Sequence, residues 1–222
     1  MSDQADRANS AVWRRLYSQG KNDLRYPNEL LVRLGARLFD TGGQRRVLDF
    51  GFGTGANLLH FAHAGYEVHG VEISEHAVAR AKERLADASL TGDLVLTDAG
   101  APLPYSDGYF DVAYAWQVIC YQSKDSWRQT VRELERVTRP GGFVVVATAA
   151  PGDISQVEAE SLGDDVYRSK VSGQEGCLLT IPGRDSLTDL FRGRHIEVGE
   201  FGFRYAGTAS RHWVITYRKS DI

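Results

Sequence analysis

The chain has 222 residues, of which 42% are hydrophobic and 25% charged, and this suits one globular α/β domain with a full core. Its formal net charge of −3 disfavours a nucleic-acid partner, and its longest apolar stretch, residues 143–151, is far shorter than a membrane span. The polar N-terminus has no signal-peptide core, and the two cysteines lack metal-type spacing. We therefore expect a cytoplasmic protein with reduced thiols and no metal.

The first forty residues are predicted to form an N-terminal helical lid. Residues 1–10 are polar and are expected to be frayed. Apolar residues at helical spacing predict two helical pieces over residues 11–39, broken near Gly20 and at the step from Tyr26 to Pro27.

A glycine-rich turn follows, within the stretch RVLDFGFGTGANLL at residues 46–59. The apolar pair before Asp49 suits a buried strand, glycines occupy every second position from Gly51 to Gly55, and a helix can begin at Ala56. Glycine lets the backbone turn sharply and approach a ligand closely. The carboxylate of Asp49 would repel a phosphate at this turn but suits a ligand that carries positive charge.

Beyond the turn, strands and helices alternate, which predicts a doubly wound, mostly parallel α/β sheet with helices on both faces, within a main domain at residues 41–222. The predicted strands span residues 67–73, 93–97, 110–116 and 143–148, and the predicted helices between them span residues 75–86 and 126–137. Two closing strands at residues 195–203 and 212–217 would form an antiparallel hairpin and complete seven strands. Residues 151–183 break the alternation, and we interpret them as an insertion on the substrate side, over the carboxyl edge of the sheet.

Three acids stand at the ends of consecutive predicted strands: Asp49, Glu72 and Asp98. In a doubly wound sheet, ligands bind beyond the carboxyl ends of the strands. Glu72 lies about twenty residues past the glycines, the offset at which a carboxylate can bind a ribose diol. Asp98 could accept a hydrogen bond from an adenine amino group. Because residues 51–56 alone also fit a dinucleotide fingerprint, a nucleotide-dependent oxidoreductase remains an alternative.

Taken together, these motifs resemble those of the class I, seven-stranded, Rossmann-like S-adenosylmethionine-dependent methyltransferases. The spacing of Asp49 and the three glycines resembles the family's first motif. The stretches FDVAYAWQVICY and RELERVTRPGGFVVVAT resemble its fourth strand and its following helix, turn and fifth strand. The resemblance implies S-adenosyl-L-methionine as cofactor and S-adenosyl-L-homocysteine as product. The cofactor-binding residues predicted on this basis, with two aromatic residues of the lid, are Asp49, Gly51, Phe52, Gly53, Gly55, Asn57, Glu72, Ile73, Asp98, Ala99, Trp116, Gln117, Tyr121, Tyr17 and Tyr26.

The resemblance also implies methyl transfer by in-line displacement, in which an oxygen, nitrogen or carbon atom of a small molecule attacks the sulfonium methyl. The fourth strand lacks the Asn/Asp-Pro-Pro-Tyr signature of members that methylate amides and adenines. A general base is needed only for a poorly ionised acceptor, and the candidates are His76, Tyr121, His195 and His212, none of which has a motif that marks it as a base. We expect a monomer or a homodimer, and a non-catalytic binding module remains a further alternative.

Overall fold

The computed structural model describes residues 2–39 and 46–220, and its main feature is a seven-stranded sheet. The strands are β1 (Arg46–Phe50), β2 (Glu67–Glu72), β3 (Asp93–Leu96), β4 (Phe110–Trp116), β5 (Thr138–Ala149), β6 (Ala159–Gly163), β7 (Val166–Ser169), β8 (Leu178–Thr180), β9 (Glu197–Tyr205) and β10 (Thr208–Arg218). The helices are α1 (Ser2–Ser18), α2 (Glu29–Leu38), α3 (Ala56–His63), α4 (Glu75–Asp87), α5 (Lys124–Val137), α6 (Ile154–Val157) and α7 (Arg184–Leu190). The predicted boundary of the lid, at residues 40–41, lies outside the described residues.

The large sheet has the strand order β3-β2-β1-β4-β5-β10-β9. The first five strands in this order pair in parallel, and β10 is antiparallel to both β5 and β9. This confirms the predicted α/β architecture with an antiparallel C-terminal hairpin. None of the helices in the described ranges combines enough length and apolarity to cross a bilayer.

Two hydrophobic clusters lie on opposite faces of the sheet, and alternate residues of the central strands contribute to each. In β5, Val144 and Val146 join the side chains of α5 and α7, whereas Val145 joins those of α2, α3 and α4. Every residue of β4 is buried, as expected for a central strand that is covered on both faces. The apolar runs of β4 and β5 therefore fix the centre of the sheet, and their carboxyl ends point to the edge where ligands bind.

Side-chain caps fix the helices that follow two of the strand ends. The side chains of Ser74 and Ser123 accept hydrogen bonds from backbone N–H groups in the first turns of α4 and α5. Such a cap satisfies a donor that has no partner within the helix. Because Ser74 lies two residues after Glu72, the cap also holds the end of β2 in place.

The N-terminal segment differs from the expected frayed end, because α1 already begins at Ser2. The prediction for residues 2–10 is wrong because this helix binds distant parts of the chain. Asn9 is buried, donates to the backbone oxygens of Tyr121 and Leu178 at 2.7 and 2.8 Å, and accepts from the N–H of Leu178 at 2.9 Å.

The segment interpreted as an irregular insertion is more ordered than its sequence indicates. It contains α6 and a separate three-stranded antiparallel sheet of order β6-β7-β8. Its strands have only three to five residues, so no alternating pattern can show in the sequence. The strand β5 also begins before the predicted turn at Pro140, because Thr138 already pairs with Phe110 ahead of a shift in register.

Candidate functional site

A cavity of about 710 Å³ opens at the carboxyl edge of the parallel strands. This volume lies within the range of roughly 300–1,000 Å³ that is typical of small-molecule sites. The walls come from the turn after β1, the ends of β2 and β4 and the loop after β3, while Trp13, Tyr17 and Tyr26 contribute from the N-terminal segment. The cavity therefore lies where doubly wound sheets bind ligands.

The turn after β1 needs glycine for two separate reasons. Gly51, Gly53 and Gly55 have positive φ angles of 73°, 55° and 84°, which residues with a Cβ rarely adopt. A Cβ at Gly53 would also lie 2.7 Å from the hydroxyl oxygen of Tyr17, and a Cβ at Gly51 would lie 2.5 Å from Cγ2 of Val118. The glycines thus let α1 and the segment after β4 pack tightly against the turn.

Glu72 is the carboxylate that connects this turn to the end of β2. It is 5% exposed, and its oxygens accept hydrogen bonds from the backbone N–H groups of Gly53 at 2.9 Å, Ile73 at 2.8 Å and Ser74 at 3.0 Å. Burial raises the pKa of Glu72, and these hydrogen bonds oppose that effect. A carboxylate has about four acceptor positions, so one remains for a ligand in the cavity that Glu72 lines.

Asp49 lies beneath the glycine turn and is not among the cavity-lining residues. Its side chain is buried and accepts a hydrogen bond from the hydroxyl of Tyr114 at 2.7 Å. Burial raises its pKa to about 7, the bond from Tyr114 opposes this, and the charge of Glu72 adds to it. The structure contradicts the expectation that the charge of Asp49 faces the ligand, and places this carboxyl group as a support that joins β1 to β4.

Asp98 stands exposed at the rim of the cavity, where it pairs with Arg14 of α1. Nη2 of Arg14 lies 3.0 Å from Oδ1 of Asp98, and Nε donates to the backbone oxygen of Ile73 at 2.9 Å. An exposed ion pair of this kind contributes about 0–1 kcal/mol. Asp98 therefore stays available to a hydrogen-bond donor on a ligand, and Arg14 links α1 to the ends of β2 and β3.

Most of the predicted cofactor residues meet at this one cavity. Those that line it are Tyr17, Tyr26, Gly51, Phe52, Gly53, Asn57, Glu72, Ile73, Asp98, Ala99, Trp116, Gln117 and Tyr121. The other two, Asp49 and Gly55, do not line it. Gly55 instead begins α3 in a left-handed conformation.

Only two of the four candidate bases reach the cavity. Tyr121 and His212 line it, whereas His76 and His195 are exposed and do not. Burial raises the pKa of Tyr121 well above that of an ordinary phenol, so its hydroxyl stays protonated near neutral pH. The structure therefore contradicts His76 and His195 as bases in this cavity and disfavours Tyr121.

A polar cluster lies where the ends of β4 and β5 meet the start of β10. Nε2 of His212 is 2.8 Å from the side-chain nitrogen of Gln117 and 4.0 Å from Oδ2 of Asp153, and Nδ1 is 3.3 Å from Oγ of Ser210. All four residues line the cavity. Sequence reasoning missed Asp153 and Ser210 because one lies in a loop and the other near a hairpin, and neither belongs to a motif.

Two residues of the cavity wall have a buried indole N–H group without a partner. The Nε1 atoms of Trp13 and Trp116 are buried and bind no acceptor among the described residues, and both tryptophans line the cavity. A buried donor without a partner costs about 1–3 kcal/mol. No sequence signal separates Trp13 from a core residue, since it shares a helical face with Leu16.

The charged side chains in the cavity wall carry one sign. The carboxylates that line it are those of Asp6, Glu29, Glu72, Asp98, Glu133 and Asp153. No Lys or Arg occurs among the lining residues in the described part of the chain. The wall therefore suits a neutral or cationic molecule better than an anion, because an anion would meet like charges without a counter-ion.

Known proteins resemble this chain in sequence over its central part. Residues 47–142 match a family model described as a methyltransferase domain. The chain is 35% identical over 135 residues to the malonyl-(acyl-carrier protein) O-methyltransferase of Erwinia pyrifoliae, which covers 59% of this chain and 48% of that protein. The chain thus spans about half the length of the curated relatives it matches.

Solved structures share the fold over nearly the whole chain. The 1,6-didemethyltoxoflavin-N1-methyltransferase of Burkholderia thailandensis, with S-adenosylhomocysteine bound, has a TM-score of 0.71 at 20% identity and covers 96% of this chain and 89% of its own. A (4+2)-cyclase, SpnF, has a TM-score of 0.68 at 22% identity and covers 99% of this chain and 96% of its own. The fold alone therefore does not name a reaction. The match of residues 47–142 to the methyltransferase family model, together with the glycine turn and the strand-end acids, supports a class I methyltransferase whose cofactor is S-adenosylmethionine.

Proposed function

We propose that this protein transfers a methyl group from S-adenosylmethionine to an oxygen, nitrogen or carbon atom of a small-molecule acceptor by in-line displacement. When bound, the cofactor supplies a sulfonium methyl group and leaves as S-adenosylhomocysteine. The observation that carries the proposal is the buried carboxylate of Glu72, which holds the glycine turn and keeps one acceptor position open to the cavity. The match to the methyltransferase family model favours this reaction over the nucleotide-dependent oxidoreductase that glycine spacing alone left open.

The residues at the ends of β1, β2 and β3 form the cofactor side of the cavity, and their chemistry fits this cofactor. Glu72 is placed to accept a hydrogen bond from a ribose hydroxyl, and the exposed carboxylate of Asp98 is available to an adenine amino group. The acidic wall also complements the ammonium and sulfonium charges.

The protein itself contributes binding, orientation and exclusion of water. Tyr17 covers the turn at Gly53, and Arg14 fastens α1 to the ends of β2 and β3. A small-molecule acceptor is favoured because the cofactor and its acceptor must share about 710 Å³.

A thermal-shift experiment tests the cofactor. The full chain is heated with S-adenosylhomocysteine or with NAD, and only a ligand that binds the folded state raises the midpoint. We expect a rise with S-adenosylhomocysteine and none with NAD; the reverse result would contradict the proposed function.

A screen for methyl-donor consumption tests the reaction. S-adenosylmethionine is incubated with the protein and with classes of metabolites, and release of S-adenosylhomocysteine is followed. Release that depends on one acceptor class supports methyl transfer. Cofactor binding without release in any class would instead support a non-catalytic binding module.

A further inference from the structure

The cavity has a second side, away from the cofactor side, that the proposed function leaves without a role. It lies at the ends of β4 and β5 and the start of β10, and we call it the acceptor side. Because β10 runs antiparallel to β5, its first residues reach the edge where β5 ends, and His212 pairs with Ala149 in that register. The strand β1 separates the cofactor residues Glu72 and Asp98 from this side in the order of the sheet.

The imidazole of His212 is held in one orientation by three neighbours. Phe201 stacks on the ring with centroids 5.0 Å apart at an interplanar angle of 20°. The side-chain nitrogen of Gln117 lies 2.8 Å from Nε2, and Oγ of Ser210 lies 3.3 Å from Nδ1. An amide nitrogen only donates hydrogen bonds, so this arrangement matches the tautomer in which Nε2 accepts from Gln117 and Nδ1–H donates to Ser210.

Gln117 contacts this ring from a backbone conformation that is rare for its residue type. Its φ angle is 57°, and its backbone N–H donates to the oxygen of Ala147 at 2.8 Å. A non-glycine residue at positive φ is strained, and such strain clusters at functional sites. Gln117, directly after β4, thus combines a strained backbone with a side-chain amide that contacts His212.

Charges around the ring favour an unprotonated imidazole that can still gain a proton. Burial lowers the pKa of His212, and the carboxylate of Asp153 opposes that effect. Asp153 is itself buried and accepts a hydrogen bond from the backbone N–H of Arg211 at 2.8 Å. The side chain of Arg211 pairs with Glu200 of β9 at 3.1 Å. The carboxylate of Asp153 is thus the group that can stabilise the protonated ring of His212.

Two other ionisable groups on the acceptor side, a thiol and a phenol, keep their own protons near neutral pH. Burial raises the pKa of Cys120 to about 12 and that of Tyr121 well above its ordinary value. The carboxylate of Asp6 accepts hydrogen bonds from Ser123 and Ser126. Since no Lys or Arg lines the described wall, the protein offers no cationic side chain to an acceptor that is already anionic, so the favoured acceptor enters with its proton.

We propose that His212 is the general base for a neutral hydroxyl acceptor, and this inference rests on the proposed function. The acceptor O–H takes the place of the Gln117 N–H at Nε2, and the amide of Gln117 then donates to the acceptor oxygen. As that oxygen bonds to the methyl carbon of the sulfonium donor, its proton passes to Nε2. The carbon–sulfur bond breaks, its electron pair stays on sulfur, and sulfur leaves as a neutral thioether.

Nuclear magnetic resonance of ¹⁵N-histidine-labelled protein, saturated with S-adenosylhomocysteine, tests the state of the ring without an acceptor. The His212→Gln variant assigns the resonance, and His76→Gln and His195→Gln serve as controls because these histidines are exposed and outside the cavity. We expect His212 to be neutral at pH 7 with its proton on Nδ1, and Asp153→Asn to move its titration to lower pH. A proton on Nε2, or a charged ring at pH 7, would overturn the proposal.

Methyl transfer to a phenol or alcohol found in the screen gives the second readout. We expect His212→Gln to lower the rate at pH 7 by about 100- to 10,000-fold, and the wild-type rate to fall as the pH drops through the His212 titration. The affinity for S-adenosylhomocysteine should stay within about threefold, since His212 lies off the cofactor side. Full activity of His212→Gln with bound cofactor would overturn the role of His212 and leave the proposed function standing. Failure of the wild-type protein to bind the cofactor would instead contradict the proposed function itself.

Discussion

The two sides of the cavity are built in different ways. The residues of the cofactor side come from one stretch of about fifty residues, 51–98, and lie at or after the ends of three neighbouring parallel strands. The residues of the acceptor side come from α1, from the ends of β4 and β5, from the insertion and from the C-terminal hairpin. Local order in the sequence therefore specifies the first side, whereas the second exists only after distant segments have packed together.

The largest expected effect concerns the support beneath the cofactor side, in the variant Asp49→Asn. The folded-state pKa of Asp49 is about 7, above its ordinary value of 3.8. Between these values the folded protein keeps a proton that the unfolded chain releases, so stability falls as pH rises through this window. The difference corresponds to about 4 kcal/mol. Asp49→Asn keeps an oxygen for Tyr114 to bind, and should remove this contribution to the pH dependence.

Urea denaturation of wild type and Asp49→Asn from pH 4 to pH 8 measures the pH-dependent contribution of Asp49 to stability. The free energy of unfolding of wild type, relative to Asp49→Asn, should decrease by about 4 kcal/mol across that range. Asp87→Asn, at an exposed position on α4, should keep the wild-type profile. Parallel curves for wild type and Asp49→Asn would show that the buried carboxyl group is ionised throughout.

The acceptor side should respond to the loss of one long-range contact, in the variant Asn9→Ala. Asn9 binds the backbone of Tyr121 and of Leu178 from α1, so its removal leaves buried polar groups without partners. We expect a loss of about 3 kcal/mol in the free energy of unfolding, and faster hydrogen exchange in α1 and β8. Ser18→Ala, at an exposed site on the same helix, should change stability by less than about 0.5 kcal/mol. An equal change in both variants would refute the anchoring role of Asn9.

On the cofactor side, Glu72→Ala should weaken binding of S-adenosylhomocysteine by roughly 10- to 150-fold, which corresponds to about 1.5–3 kcal/mol for hydrogen bonds to a charged group. The backbone N–H groups that Glu72 binds would also lose their acceptor. Titration calorimetry measures the affinity, and Glu75→Ala, at an exposed carboxylate three residues further on, is the matched control. An unchanged affinity in Glu72→Ala would remove Glu72 from the site.

The same contrast explains what the sequence could predict. Alternating elements and three positive-φ glycines define the sheet and the turn, so Glu72 and Asp98 could be placed at the cavity from their position after a strand. Asp49 was placed at the correct strand end, but its side chain points to Tyr114. Strand order fixes where a residue lies, whereas the direction of a side chain depends on the neighbouring strand.

The remaining misses follow from long-range packing. The polar residues at the start of α1 are typical of a frayed end. They are ordered because Asn9 binds the backbone of Tyr121 and Leu178. His212 and Gln117 are 95 positions apart in the chain, and they come together only because β10 pairs with β5. No local sequence pattern predicts such a pairing, because each segment alone is compatible with several folds.

The smallest expected effect concerns the contact that joins the two sides, in the variant Arg14→Ala. Arg14 reaches from α1 to Asp98 and to the backbone of Ile73, but both charged groups are exposed, with side-chain accessibilities of 49% and 87%. The free energy of unfolding should therefore change by less than about 1 kcal/mol. Because Arg14 competes with a ligand for the carboxylate of Asp98, its removal should leave the affinity for S-adenosylhomocysteine unchanged or up to about threefold higher. Calorimetry on Arg14→Ala, with Arg37→Ala at an exposed position on α2 as control, measures this. A tenfold loss of affinity would mean that Arg14 binds the cofactor directly, and α1 would then belong to the cofactor side as well as to the acceptor side.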